Sequence, residues 1–250
     1  ILLIDIVGKG VSAGFKIQDW KQLFDDHAME CLDPSVLLFK VNNCAVKSEQ
    51  IRQPSPLFYG VFNRETGDLT YCNAGHEPPI FFNGDTFRCL NEGGFPLGAE
   101  ENERYEQAAL KLERNNVVIF YTDGITEANH NKGDDFGEER LKKLIKKHSY
   151  LPSTSLINKI IHSVSEFTNF ENQYDDLTCI ALTGNAEIKS PESEWGNRHD
   201  LISNFDVVFN QEMLHAEISE DEIAINRYDL SIIQEYLIQN HFKAFLPGMT

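Results

Sequence analysis

Three aspartates stand where short apolar runs end or begin. Asp5 closes the run that opens at Ile1 and lies just ahead of the glycine turn Gly8-Lys9-Gly10. Asp123 follows Val117 to Tyr121, and Asp175, with Asp176 beside it, immediately precedes Leu177 to Leu182. Runs of this length and composition read as buried strands, and carboxylates at the ends of neighbouring strands can converge at one edge of a sheet. Hard divalent cations such as Mg²⁺ and Mn²⁺ take such oxygen ligands and keep several waters. A few aspartates with a backbone carbonyl would hold two such ions, and an ion pair of this kind activates a shared water and neutralises phosphoryl oxygens during in-line attack. That chemistry is metal-assisted hydrolysis, and it needs no protein nucleophile. Taken singly, each aspartate also fits a plainer role, because Asp before Gly forms turns and Asp-Asp before a strand can cap a helix or end a loop.

Other chemistries find less support. The five cysteines, Cys31, Cys44, Cys72, Cys89 and Cys179, form no C-x-x-C pair, and none is followed by Arg at the spacing of a cysteine-nucleophile phosphatase loop. Three of them (Cys72, Cys89 and Cys179) sit in strand-like runs, where a free thiol behaves as a small hydrophobe, and the pattern suits a reducing cytoplasm. No phosphate-binding G-x-x-x-x-G-K-[ST] loop and no kinase motif set occurs in residues 1–184, which leaves only the tail open to an ATPase fragment. A net charge of −17 argues against nucleic acid as a partner, since phosphates must be neutralised by Lys and Arg. No apolar run approaches the length of a membrane span, and the start has neither the basic region nor the cleavage site of a signal peptide.

The elements that must position the aspartates follow from periodicity and turn residues. Ile1 to Ile6 reads as a strand, and two helical stretches follow it. In the second, Asp33 is placed as N-cap and Pro34 as first helical residue, with Leu37, Val41, Cys44 and Ala45 on one face. Residues Leu57 to Leu112 read as β. Leu57 to Asn63 and Asp68 to Cys72 flank Arg64-Glu65-Thr66-Gly67, while Pro79 to Phe82 and Thr86 to Leu90 flank the hairpin signal Asn83-Gly84-Asp85. Val117 to Tyr121 is a further strand. Leu141, Leu144 and Ile145 mark one amphipathic helix, and Leu156, Ile157, Ile160, Ile161, Val164 and Phe167 a longer one. Leu177 to Leu182 closes this unit near Gly184. The order predicts an α+β domain over residues 1–184, with helices on the faces of a sheet core. Residues 185–250 read as a polar linker from Lys189 to Asn197, then an extension or partial second domain. That tail holds a strand at Phe205 to Phe209, a capping box at Ser219 and Glu222, and a helical pattern at Ile232, Ile233, Tyr236 and Leu237.

Five motifs occur in order: Asp5-Ile6-Val7-Gly8-Lys9-Gly10-Val11, Phe58-Tyr59-Gly60-Val61, Asn73-Ala74-Gly75-His76-Glu77-Pro78-Pro79, Tyr121-Thr122-Asp123-Gly124-Ile125-Thr126-Glu127-Ala128 and Asp175-Asp176-Leu177-Thr178. Together they closely resemble the bacterial PPM/PP2C-like serine/threonine phosphatases of the sporulation stage II E and sigma-regulator type, over roughly Ile1 to Leu182. The resemblance implies a β-sandwich flanked by helices (αββα), with a short C-terminal extension, and a centre of two ions, Mn²⁺ or Mg²⁺. By the same resemblance Asp5, the carbonyl of Ile6, Asp123 and Asp175 would bind metal and act through a metal-activated water. Asp176 would stand one step behind these ligands, and Gly8 and Gly10 would permit the tight turn or contact phosphate. His76 lies in a signature loop of the family and, as a lone loop histidine, reads as a structural hydrogen-bonding residue. The implied activity is a phosphoprotein phosphatase of the cytoplasm whose substrate is a phosphorylated anti-sigma-factor antagonist of the STAS type, in a partner-switching pathway. An upstream sensor or receiver domain and a homodimer are compatible with it, and the helices between Gly10 and Lys47 are candidates for coupling regulation to the site. One departure stands out. Family members carry a further aspartate, in a Gly-Gly-Asp-type motif on a preceding strand, and this chain begins at Ile1 with that strand apparently missing. Either the sequence is a piece of a longer protein, which its abrupt apolar start favours, or the domain lacks a metal ligand. The alternative reading is a catalytically silent module that keeps the fold and binds its partner without turnover, against which the retention of Asp5, Asp123 and Asp175 speaks.

Overall fold

The computed structural model describes residues 1–6, 11–28, 31–51, 53–129, 133–169, 177–184 and 205–212. Their elements run β1 (Leu2–Ile4), α1 (Val11–Ala28), α2 (Pro34–Lys47), β2 (Leu57–Phe62), β3 (Asp68–Ala74), β4 (Ile80–Phe82), β5 (Phe87–Cys89), β6 (Ala108–Lys111), β7 (Val117–Tyr121), α3 (Asp123–Thr126), α4 (Glu138–His148), α5 (Ser153–Phe167), β8 (Leu177–Gly184) and β9 (Phe205–Glu212). They form two antiparallel sheets, one ordered β1-β2-β3-β6 and the other β5-β4-β7-β8-β9.

Turn chemistry sets the registers. Asn63 Oδ1 accepts from the amides of Glu65 (2.9 Å) and Thr66 (3.2 Å), which fixes the β2–β3 connection and pairs Phe62 with Leu69. Asn83 does the same for Asp85 (2.9 Å) and Thr86 (2.8 Å), while Gly84, at φ +97°, takes a conformation that a side chain would strain. This pins the β4–β5 hairpin expected from Asn83-Gly84.

Alternation along the central strands explains why they read as continuous apolar runs. In β2, Phe58 points between the sheets, whereas Leu57 and Tyr59 point to the helices. In β7, Val118 and Phe120 face the other sheet, while Val117, Ile119 and Tyr121 face outward. Both faces are therefore buried. The inner core is closed by Phe58 against Phe120 in edge contact (centroids 5.3 Å apart) and against Tyr71 in a stack (5.5 Å). Trp20 and Phe24 of α1 with Leu37, Leu38 and Val41 of α2 cover the outside of the first sheet. Leu141 and Ile145 of α4 with Leu156, Ile157, Ile160, Ile161 and Val164 of α5 cover the second. The result is the four-layer αββα sandwich that the motifs imply.

Helix α2 starts as expected: Asp33 Oδ1 accepts from the Val36 amide (3.0 Å), and Pro34 occupies the first turn. Its buried face differs in detail. Asn42 is fully buried, its amide donating to Glu100 O (2.7 Å) and its Oδ1 accepting from Gly98 N (2.8 Å). Cys44 is only half-buried and meets His27 Nε2 of α1 at 3.4 Å. The polar residue wins the interior position because the 98–100 loop needs both of its groups. The strand expected at Phe205 to Phe209 extends to Glu212 as β9 and pairs with the full length of β8, from Gly184–Phe205 to Leu177–Glu212. The linker, capping-box and helical readings elsewhere in residues 185–250 lie outside the described residues. Among the described residues no helix is long and apolar enough to cross a membrane.

Candidate functional site

The candidate site is assembled at one edge of the sandwich by a connection between the sheets. Asp5 directly follows β1, and its amide donates to Pro56 O (2.9 Å), which ties it beside the first residue of β2. Leu57 also bridges to Gly75 in parallel fashion. The chain then runs through His76 and Glu77 into β4, where Ile80 pairs with Ile119 of β7. The Tyr121 hydroxyl, at the far end of β7, donates to Glu77 Oε1 (3.3 Å). The segment Asn73 to Glu77 thus links the start of β2, beside Asp5, to the end of β7, which precedes Asp123.

Asp123 is the first residue of the single-turn helix α3, which begins two residues after β7 ends. The entry to β8 is stapled alongside, since Thr122 N donates to Thr178 O (3.2 Å) and Thr178 N donates to Thr122 Oγ1 (3.1 Å). The Asp123 carboxylate is half-buried, and among the described residues it has no hydrogen-bond or ion-pair partner. Asp5 is exposed and Ile6 half-buried with its side chain against the first-sheet helices. Asp175, Asp176, Gly8 and Gly10 lie outside the described residues, and among those described no group of three or more His, Cys, Asp and Glu is gathered closely enough to hold a metal. Asp5 and Asp123 thus follow strand ends that the Asn73–Glu77 segment links, with the start of β8 bonded to Thr122.

The donors present suit a hard divalent cation. Carboxylate and carbonyl oxygens dominate the edge, and its histidine is committed elsewhere. His76 is buried at 5% exposure, its Nδ1 lies 3.0 Å from Glu77 O, and its amide donates to Asn73 Oδ1 (2.8 Å). This is the loop-holding role expected of it.

Several positioning residues escaped the sequence reading. The Asn73 amide nitrogen donates to His76 O (3.0 Å) and Leu90 O (3.1 Å), so one buried side chain knots the loop to the segment after β5. Gly93 lies so close to this knot that a Cβ there would stand 1.8 Å from Asn73 O, which leaves room only for glycine. Tyr121 is held protonated by burial, and next by the Glu77 charge, so it remains the donor that anchors Glu77. The run Glu92-Gly93-Gly94 was the only available signal for the Gly93 contact, and doubled glycine by itself says no more than turn.

Comparison with known proteins follows the same lines. The Stage II sporulation protein E (SpoIIE) family model matches residues 1–184. Phosphoserine phosphatase RsbU of Bacillus subtilis is 28% identical over 185 residues, 73% of this chain and 54% of its own length, so this chain spans about half of that relative. The SiaA-PP2C domain of Pseudomonas aeruginosa superposes with a TM-score of 0.63 at 17% identity, covering 72% of this chain and 73% of that one. The structure of the PP2C phosphatase domain of SpoIIE from Bacillus subtilis, with a fragment of its regulatory domain, superposes with a TM-score of 0.58 at 16% identity, covering 72% and 51%. At these identities the structural likenesses speak for the PP2C-like fold, and the family match carries the rest: the chain belongs to the SpoIIE family of PP2C-like protein phosphatases.

Proposed function

We propose that this chain hydrolyses phosphoserine or phosphothreonine on a protein, and that its substrate is a STAS-type anti-sigma-factor antagonist in a bacterial partner-switching pathway. The observation that carries the proposal is the placement of Asp123, whose carboxylate has no partner among the described residues and which directly follows Thr122, the residue bonded to Thr178 at the entry to β8. The kinship with a protein named phosphoserine phosphatase supports the substrate class. Asp5, the carbonyl of Ile6, Asp123 and Asp175 would hold Mn²⁺ or Mg²⁺, and the bound ions would supply the activated water and the charge neutralisation that phosphoryl transfer requires. The chain's own part is to fix these oxygens on strand ends, so that little reorganisation accompanies the reaction. We assign residues 1–184 to the phosphatase domain and residues 185–250 to an extension, with β9 lending the domain its edge strand. The five cysteines are all free, which fits a reducing cytoplasm.

The test is phosphate release from a phosphoserine STAS protein with Mn²⁺ or with EDTA, beside an Asp123→Asn control. Release that requires Mn²⁺ and collapses in the variant supports the proposal. No release at saturating Mn²⁺ from folded protein overturns it and leaves a silent binding module.

A further inference from the structure

An open groove of about 440 Å³ runs between α4 and α5 on the outer face of the second sheet. Phe136, Leu144 and Phe167 form its apolar floor, and Arg140, Lys143 and Lys147 rim it at helical spacing. In a chain with 39 Asp and Glu against 22 Lys and Arg, this rim inverts the prevailing charge. Part of the basic character has a local explanation. Lys142 is paired with Glu138, and Lys147 falls in the last turn, where cations suit the helix dipole. Arg140 braces the floor, donating to the carbonyls of Asp135 and Phe136 (2.8 Å each) with its guanidinium 4.7 Å from the Phe167 ring centroid. Lys143 has no such account. It is exposed in mid-helix, four residues from Lys147, and neither has an ion-pair partner among the described residues. Like charges at this spacing destabilise a helix. Across the groove Glu166 lies 3.4 Å from His162.

The groove is also joined to the candidate catalytic edge. Gly137 N donates to Thr126 O (2.8 Å) and Phe136 N to Ala128 O (2.7 Å), and Thr126 closes the same short helix that Asp123 opens. These bonds tie the start of α4, and with it Phe136 of the groove floor, to the turn that carries Asp123.

We propose that the α4–α5 groove docks an acidic segment of the phosphoprotein substrate, with apolar side chains on Phe136, Leu144 and Phe167 and carboxylates facing Lys143 and Lys147. The proposal rests on the phosphatase reading above and adds to it where affinity for the substrate comes from. Being exposed, the lysines act on encounter and retention and leave the reaction itself alone, so their effect is screened by salt. The test is a Lys143→Glu, Lys147→Glu double variant of the full chain, with Lys143→Arg, Lys147→Arg as the charge-preserving control. On a phosphoserine STAS protein the reversal raises KM about tenfold with kcat retained, raised NaCl narrows the gap, and the Arg control behaves as wild type. Turnover of p-nitrophenyl phosphate, which is too small to reach the groove, stays unchanged. An unchanged KM on the phosphoprotein, or an equal loss on p-nitrophenyl phosphate, overturns the proposal. So does a change in molar mass by light scattering with KM unaltered, which assigns the groove to a second copy of the chain. Fluorescence anisotropy with the labelled phosphoserine STAS protein separates docking from chemistry. If wild type binds but releases no phosphate, the phosphatase reading fails, while about tenfold weaker binding by the reversal still supports docking and equal binding still overturns it.

Discussion

The Asp123 carboxylate is unengaged by any described residue, so its contribution to stability and its contribution to chemistry should separate cleanly. Asp123→Asn keeps size and shape while removing the charge, and no ion pair with a described residue is lost with it. The expected outcome is a change in unfolding free energy within about 0.5 kcal/mol by urea titration. Phosphatase activity should fall by about 100-fold or more, since even the partners behind metal ligands are commonly worth 10–100-fold. Asp5, Asp123 and His76 stand inside motifs whose order singles them out in the sequence. Asn73 was legible only as part of its motif. That its one side chain would reach both His76 O and Leu90 O depends on a path that returns after β5, and no local pattern encodes that return.

The elements were read well where local chemistry determines them and less well where the partner is distant. Asp33 at the start of α2 is the clear local case. Hydrogen bonds from the Ser35 hydroxyl, and next from the Val36 amide, hold its carboxyl below the ordinary carboxylate value, so the folded state favours the charged form. A depressed folded pKa gives stability that is fully present above the unfolded value and lost as pH falls through the folded one. Asp33→Ala should therefore cost about 1 kcal/mol near neutrality. The difference from wild type should shrink in urea titrations carried below the ordinary carboxylate range, as pH falls through the lowered value of the cap. Gly93 is the distant case. Gly93→Ala would drive a methyl group into the Asn73 carbonyl, so the strand-to-loop junction must shift. We expect a loss of about 3 kcal/mol or more in thermal or urea unfolding, the upper range for overpacking, with reduced activity in whatever folds. Nothing near Gly93 in the sequence announces this, because the clash comes from a residue on another strand.

At the scale of the whole molecule, fold class follows from the alternation of buried runs and amphipathic helices. The division into two sheets does not, because Leu57–Phe62 and Val117–Tyr121 are buried on both faces and look alike in sequence. Only the pairing partners distinguish their sheets. The seam between them depends on Phe120, which meets Phe58 at 5.3 Å and is fully buried. Phe120→Ala should cost about 3–5 kcal/mol, visible as a lowered urea midpoint with retained secondary structure at low denaturant.

The candidate edge joins the end of β1, the β3–β4 connection, the end of β7 and the start of β8, segments that lie far apart along the chain. Pairings such as Leu2 with Tyr59 close long loops before any contact repays the entropy, and such closures come slowly. Helices α4 and α5 can form from neighbouring residues long before that. In a refolding experiment the helical signal would then return ahead of catalysis, and phosphate release would mark the last closure rather than the first collapse. A chain still emerging from the ribosome would carry much of its secondary structure before its active edge, which would be complete only after the strand that enters at Leu177 had found its place.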